Sequence, residues 1–96
     1  MPAVVRINDV CTGHGDWPSR NNDQGSPDTF VNERNVHRVG DHWVTHCNSI
    51  NDCHDSVLAG GSPDTYVNDK AVGRIGDPVA CGSTCATGSP DTYVNG

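Results

Sequence analysis

The five histidines and five cysteines of this chain are the residues best suited to chemistry. Histidine nitrogen and cysteine sulfur are preferred zinc ligands, and four of them in a tetrahedron form a closed structural site. All of the ten except His37 lie in three segments between repeated motifs, which are 10–24, 42–60 and 78–87. The pattern therefore predicts a metal site assembled from three loops that the fold must bring together.

Each of the three loops offers at least one candidate ligand. In the first loop, His14 stands between two glycines, which allow a close approach of the backbone. The other candidates lie in the remaining loops: His46 and His54 with the competing Cys47 and Cys53 in the second, and Cys81 in the third. Three histidines and one cysteine would fill all four zinc positions and leave none for water. Such a set is typical of a structural site and not of a catalytic one.

The remaining cysteines and histidines have structural interpretations. We expect Cys11 and Cys85 to be small buried residues, because free cysteine is often buried. His37 is predicted to be packed or hydrogen-bonded on a strand, and His42 to be a surface side chain. Disulfides are not expected, because the N-terminus does not resemble a signal peptide and cytoplasmic thiols stay reduced.

An internal repeat forms the scaffold that positions these loops. The octapeptide Gly-Ser-Pro-Asp-Thr-aromatic-Val-Asn occurs at 25–32, 61–68 and 88–95. A tetrapeptide of Arg, Ile or Val, Gly or Asn, and Asp starts at Arg6, Arg38 and Arg74. The first tetrapeptide follows no octapeptide, and the last octapeptide precedes no tetrapeptide. The simplest arrangement that completes three units is a ring, in which the N-terminal strand pairs with the C-terminal one.

Each octapeptide predicts a turn followed by a short strand, because Ser-Pro-Asp favours a turn and Thr-aromatic-Val favours a strand. The return strands are predicted at 35–39, 71–75 and 3–7, followed by variable loops. The Arg and Asp of each tetrapeptide are interpreted as local ion pairs at the loop bases. Helical apolar spacing is absent from the sequence. The fold class is therefore predicted to be all-β, small and pseudo-threefold, with residues 1–96 forming one domain.

The composition and the absence of catalytic motifs argue against several classes of function. The net charge of −6 repels phosphate backbones, which argues against a nucleic-acid partner. The low hydrophobic content of 33% predicts a thin core that needs a metal or a partner for stability. Neither a Ser-His-Asp arrangement nor paired carboxylates are evident, so we expect no enzyme and no small-molecule substrate. The sequence also contains no run resembling a membrane span.

The repeated segments 2–9, 36–41 and 71–77, together with the three octapeptides, resemble the PAAR-repeat family, named for Pro-Ala-Ala-Arg. Three shorter runs resemble the form found in contractile-tailed phages: 12–15, 40–46 and 81–83. The resemblance implies a small β-structured cone that caps the trimeric β-helical spike of a phage tail or a type VI secretion system. It also implies a tip tied together by zinc, with the ligands His14, His46, His54 and Cys81. Iron is the alternative metal.

The resemblance and the repeats together predict how the chain meets its partner. One chain would cap one trimer, because three similar units match three identical chains. The predicted contact residues are one aromatic residue and one valine from each octapeptide: Phe30, Val31, Tyr66, Val67, Tyr93 and Val94. Adjacent strand residues point to opposite faces, so only one member of each pair faces outward. The sequence does not decide which.

The predicted role is mechanical. The chain would sharpen the tail spike and aid penetration of a cell envelope, with only transient contact to the target membrane. Its predicted location is the virion tail tip after assembly in the host cytoplasm, or alternatively a secretion-system spike tip. Two other functions stay open: an adaptor that carries an effector, and a zinc-dependent hydrolase, which would need an open coordination position and a general base.

Overall fold

The computed structural model describes residues 2–94, which form three two-stranded antiparallel sheets joined by turns and isolated bridges. The paired strands are β1 (Phe30–Val31) with β2 (Arg34–Asn35), β3 (His42–Cys47) with β4 (Cys53–Val57), and β5 (Tyr66–Val67) with β6 (Lys70–Ala71). No residue between 2 and 94 is helical, so the predicted all-β class is confirmed. Accordingly, this part of the chain contains no apolar helix that could cross a membrane.

The hairpins β1–β2 and β5–β6 are built alike because their turns are alike. Asn32 and Glu33 have φ of 54° and 66°, and Asn68 and Asp69 have φ of 53° and 65°. Two consecutive positive φ values define the tight hairpin turn whose twist matches that of the strands, and Asn tolerates this conformation. The octapeptide therefore supplies the strand and the first residue of the turn that reverses it.

The third octapeptide pairs with the N-terminal segment. Ala3 forms an antiparallel bridge with Tyr93, and the Val4 N–H donates to the Thr92 carbonyl at 3.0 Å. The Val36 N–H makes the equivalent bond to Thr29, also at 3.0 Å. Residues far apart in sequence thus form a hairpin-like pair that resembles the other two. The last residue of the third octapeptide, position 95, lies outside the described residues.

The three units are joined by a closed cycle of backbone hydrogen bonds. The Val5 N–H donates to the Gly73 carbonyl, the His37 N–H to Val5, and the Gly73 N–H to His37, at 2.9, 3.0 and 2.9 Å. A β-carbon at Gly73 would lie 2.7 Å from the Leu58 side chain, so any other residue there would displace that buried side chain. The molecule is elongated, 38 × 24 × 21 Å, and its outline as a cone stays a prediction.

The predicted return strands 35–39, 71–75 and 3–7 are wrong as continuous strands, because each segment bonds to more than one unit. Val36 bridges Arg6, whereas Arg38 bridges Val72. Because neighbouring residues pair with different units, the ladder cannot continue along either partner. Continuous strands therefore end at Asn35 and at Ala71, and the rest of each segment consists of single bridges.

Two apolar clusters form the core. The first contains Val4, Val36 and Val72, one from each unit, with the octapeptide valines packed against them. The second lies among the loops and contains Val5, Cys11, Trp43, Leu58, Val79 and Cys85. The prediction that Cys11 and Cys85 are buried is therefore confirmed. His37 is also fully buried as expected, and its Nδ1 donates to the Gln24 carbonyl at 2.7 Å.

The Arg–Asp pairs of the tetrapeptides are confirmed as local ion pairs. The backbone N–H and the Nε of Arg38 both donate to the same oxygen of Asp41, at 2.9 and 2.8 Å. Arg6 and Asp9 repeat this arrangement, as do Arg74 and Asp77. Burial would raise the pKa of Asp9, but the hydrogen bonds from Arg6 outweigh it and lower the pKa. Each pair closes the turn from which a loop departs.

The segment 42–60 was predicted as a loop, and this is wrong. It contains the longest hairpin of the described chain, β3–β4, with a turn that includes Asn51 at φ 60°. The run Trp43-Val44-Thr45 consists of good strand formers, and Trp43 is fully buried. The second unit therefore differs from the others by a whole added hairpin.

Candidate metal centre

Four side chains from three loops converge on one point. His14, His46, His54 and Cys81 each offer one ligand atom, and these atoms all lie within 4.8 Å of one another. Nε2 of His54 lies 3.1 Å from Nε2 of His14 and 2.7 Å from Nε2 of His46. The structure thus brings together the four residues that were singled out from the sequence. Such a group could hold a metal ion.

The hairpin β3–β4 places two of the four residues. His46 on β3 is directly opposite His54 on β4. The pairing register shifts between Trp43 and His46, which marks a β-bulge. Regular alternation would put residues 43 and 46 on opposite faces, but the bulge lets Trp43 enter the core while His46 is buried in the cluster.

The other two residues lie on tight turns. The His14 N–H donates to the Trp17 carbonyl at 3.0 Å, and the Trp17 N–H donates back to the His14 carbonyl at 2.8 Å. A β-carbon at Gly13 would lie 2.6 Å from the Trp17 carbonyl oxygen, so only glycine fits there. Cys81 lies in a turn that is closed by a bond from the Gly82 N–H to the Val79 carbonyl.

The hydrogen bonds around the histidines suit a cation. Nδ1 of His46 donates to the Pro18 carbonyl at 2.8 Å, so its Nε2 presents a lone pair to His54 when the ring is neutral. Nε2 of His54 can donate at most one proton, yet it faces the Nε2 atoms of both His14 and His46. A metal ion among the three nitrogens would satisfy all their lone pairs at once. The donor set therefore fits a zinc-type ion.

The cysteines near this cluster differ in their acidity. Burial tends to raise the pKa of Cys81, but hydrogen bonds from Ser83 and Arg20 outweigh it and lower the pKa to about 6. Burial, with the nearby Asp77 charge, raises the pKa of Cys85 to about 12. Cys81 is thus much the more acidic of the two thiols, and the thiolate is the form that binds metal, whereas the pKa of Cys85 suits a buried core residue.

Trp17 covers one side of the cluster, a role that was not predicted from the sequence. Its ring stacks on His14 with centroids 5.0 Å apart, and it contacts His54 at 5.1 Å. Its Nε1 donates to the Asp52 carbonyl at 2.8 Å, which links the first loop to the turn between β3 and β4. The only available signal was its position three residues after His14. A stacked indole limits the approach of water to the histidines.

Cys47 and Cys53 form a disulfide, so the prediction of no disulfides is wrong. The two cysteines face each other across β3 and β4, one register position beyond the histidine pair. The prediction relied on the expected compartment and did not foresee a hairpin that holds the two residues together. The two sulfurs are bonded to each other and do not join the cluster of potential ligands.

A second surface, which we call the hairpin face, carries the aromatic residues and valines of the octapeptides. Phe30, Tyr66 and Tyr93 are 55%, 59% and 49% exposed. The valines that follow them turn inward and surround an apolar hollow of about 150 Å³. Its lining contains three threonines and six valines, which are Thr29, Thr65, Thr92, Val4, Val31, Val36, Val67, Val72 and Val94. The aromatic member of each pair is thus the outward one.

These features define a class of protein: an all-β chain of three repeats, with a cluster of three histidines and one cysteine assembled from its loops. The family model of the PAAR motif matches residues 12–87, and the chain belongs to this family. Membership supports a spike-tip role in contractile injection systems and association with a spike protein. The family is structural and is not known for enzymatic activity. No curated protein matches the chain at a significant level.

Proposed function

We propose that this protein, with residues 1–96 as one domain, caps the trimeric β-helical spike of a contractile tail. One chain caps one trimer. The observation that carries the proposal is the threefold repetition of the hairpin face, where each octapeptide contributes one exposed aromatic ring and one inward valine. Three identical spike chains end in three identical surfaces, and a single capping chain must offer an equivalent contact to each.

The hairpin face suits the end of a β-helix for a second reason. A terminal β-helix coil exposes apolar side chains and unpaired strand edges, which associate unless they are covered. The hollow has an apolar lining of valines with threonines around it. The three exposed rings can extend the contact outward. Together they offer a small apolar surface of the kind that buries well in a stable interface.

We propose that the cluster of His14, His46, His54 and Cys81, which we call the loop cluster, binds one structural zinc ion. Iron is the alternative metal. The donor types and their spacing support this assignment. When bound, the ion would cross-link the three loops. Four protein ligands leave no position for water, which argues against the hydrolase alternative. The ion then stiffens the part of the molecule that leads the spike through an envelope.

The proposed role is mechanical, with transient contact to the target membrane. The chain would be located at a virion tail tip or at the tip of a secretion-system spike. The net charge of −6 still argues against a nucleic-acid partner. An adaptor for an effector remains the alternative function, and it would use the same hairpin face to attach to the spike.

The test is a binding experiment with the trimeric spike protein of the same contractile system. The mass of the complex should correspond to one chain per trimer. Replacement of Phe30, Tyr66 and Tyr93 by Asp should abolish binding while the fold is retained. The matched control is Ile50→Asp, because Ile50 is 80% exposed and lies in the turn between β3 and β4. A 3:3 complex, or no binding by the unmodified chain, would overturn the cap proposal.

A further inference from the structure

Arg20 is a buried cation with an unusual set of partners. It is 7% exposed and belongs to none of the repeated tetrapeptides. The buried Arg6 and Arg38 each pair with an aspartate. Within residues 2–94, by contrast, no carboxylate forms an ion pair with Arg20. A buried charge is costly unless its surroundings compensate it, so the groups that Arg20 contacts need an explanation.

The donors of Arg20 reach two cysteine sulfurs. Its Nη2 donates to Sγ of Cys81 at 3.4 Å, and its Nη1 donates to Sγ of Cys11 at 3.1 Å and to Oγ of Ser83 at 3.2 Å. Its Nε donates to the Val44 carbonyl at 2.9 Å. The guanidinium therefore joins the first loop, β3 and the third loop, which are the three parts of the chain that meet at the cluster.

The guanidinium is itself held in place. Its central carbon lies 5.5 Å from the centroid of the Trp43 ring, which is fully buried. The aromatic face of Trp43 and the backbone carbonyl of Val44 together fix the plane of the guanidinium group. A guanidinium group fixed in this way can orient a cysteine sulfur atom, because the direction of an N–H···S bond constrains the rotamer of the cysteine.

We propose that Arg20 is the positioning residue of the metal centre, a role that rests on the zinc site proposed above. It holds Sγ of Cys81 toward the three imidazoles. It also supplies a positive charge to the sulfur, which is a thiolate when it coordinates a metal. Outer groups of this kind orient ligands and tune the metal, and their loss typically weakens metal affinity 10- to 100-fold.

The test uses the full chain loaded with cobalt(II), which reports sulfur coordination through its thiolate-to-metal charge-transfer absorption. Arg20→Met removes both the positive charge and the guanidinium group, whereas Arg20→Lys keeps only the charge. Both variants should shift the charge-transfer band. Metal affinity, measured by competition with a chelator, should fall about 10- to 100-fold for Arg20→Met and less for Arg20→Lys. Arg38→Lys is the control, because Arg38 is equally buried, at 5% exposed, but contacts none of the four candidate ligands.

The outcomes separate this inference from the metal-site proposal. If the unmodified chain binds neither cobalt nor zinc, the site itself fails. If it binds one ion but both Arg20 variants keep its band and its metal affinity, only the positioning role is overturned. Should Arg20→Met fail to fold, the band of Arg20→Lys still decides. A shift of the same size in Arg38→Lys would show that the effect is a general loss of packing, which also overturns the proposal.

Discussion

The hairpin face and the loop cluster are both built from the three repeated units, yet of these two regions only the hairpin face repeats its side chains. Each octapeptide places an aromatic ring outward and a valine inward. The candidate ligands instead come one from the first loop, two from the second and one from the third. Three equal loops can supply a multiple of three ligands, but a tetrahedral ion needs four. The added hairpin β3–β4 provides the extra ligand and breaks the symmetry.

Removal of a ligand from the loop cluster should have the largest effect. Structural zinc contributes on the order of 10 kcal/mol to small domains. We expect Cys81→Ser or His14→Ala to lose the metal and, like treatment with a chelator, to lower the melting temperature sharply. Metal content by elemental analysis and thermal unfolding measure both effects.

The controls for that experiment are Cys85→Ser and His37→Ala. Both residues are buried, but neither belongs to the ligand cluster. They should destabilise the fold through packing and keep the metal. Equal metal loss from all four variants would show that the ligand assignment is wrong. Absence of stoichiometric metal from the freshly purified chain would contradict the zinc proposal itself.

The hairpin face should respond equally to changes in any of its three copies. Phe30→Asp, Tyr66→Asp and Tyr93→Asp, made one at a time, should each weaken binding to the spike by a similar factor, because the three rings have similar exposure. Titration calorimetry or surface plasmon resonance with the trimeric spike protein measures these factors. A single dominant copy would show that the partner meets the face asymmetrically.

The disulfide tests how far the loop cluster depends on its added hairpin. In the chain-entropy model, the short loop closed by Cys47 and Cys53 contributes about 2 kcal/mol to stability. The double variant Cys47→Ser with Cys53→Ser should lose about this amount and release metal faster, because His46 and His54 lie at the adjacent register position. Denaturant unfolding and the metal-transfer rate are the measurements. An unchanged transfer rate would separate the disulfide from the metal site.

The smallest expected effect is a pH dependence at the edge of the added hairpin. Hydrogen bonds to Asp55 at 2.8 Å and Asp23 at 2.6 Å raise the pKa of His42 above its usual 6.5. The contribution of His42 to stability is therefore complete below pH 6.5 and is lost as the pH rises through the raised value. It is small because these groups are substantially exposed. His42→Ala should destabilise the chain more at pH 6 than at pH 9, as measured by denaturant unfolding. Equal effects at both pH values would contradict this.

The repeated turns and ion pairs of the fold could be predicted from the sequence because each pattern occurs three times. The repeated return strands could not, because alternate residues such as Val36 and Arg38 pair with different units. Three octapeptides indicated the hairpins, and three tetrapeptides indicated the Arg–Asp pairs. The parts that occur once were harder. The segment 42–60 lies between repeated motifs and is predicted as a loop for that reason, and the bulge between Trp43 and His46 interrupts the alternation that would have indicated β3. Arg20 and Trp17 lie in an unrepeated segment, and their importance depends on contacts with residues distant in sequence.

The hairpin-like pair formed by the two ends of the chain has a consequence for synthesis on the ribosome. The bridge between Ala3 and Tyr93 cannot form until residue 93 is translated, whereas all four candidate ligands have been translated once residue 81 is made. The loop cluster can therefore begin to assemble on the nascent chain, while the hairpin face is completed only after residue 94 has emerged. A polypeptide that stops before residue 94 would lack one third of the proposed docking surface. The order of translation thus disfavours the capping of a spike by an incomplete chain.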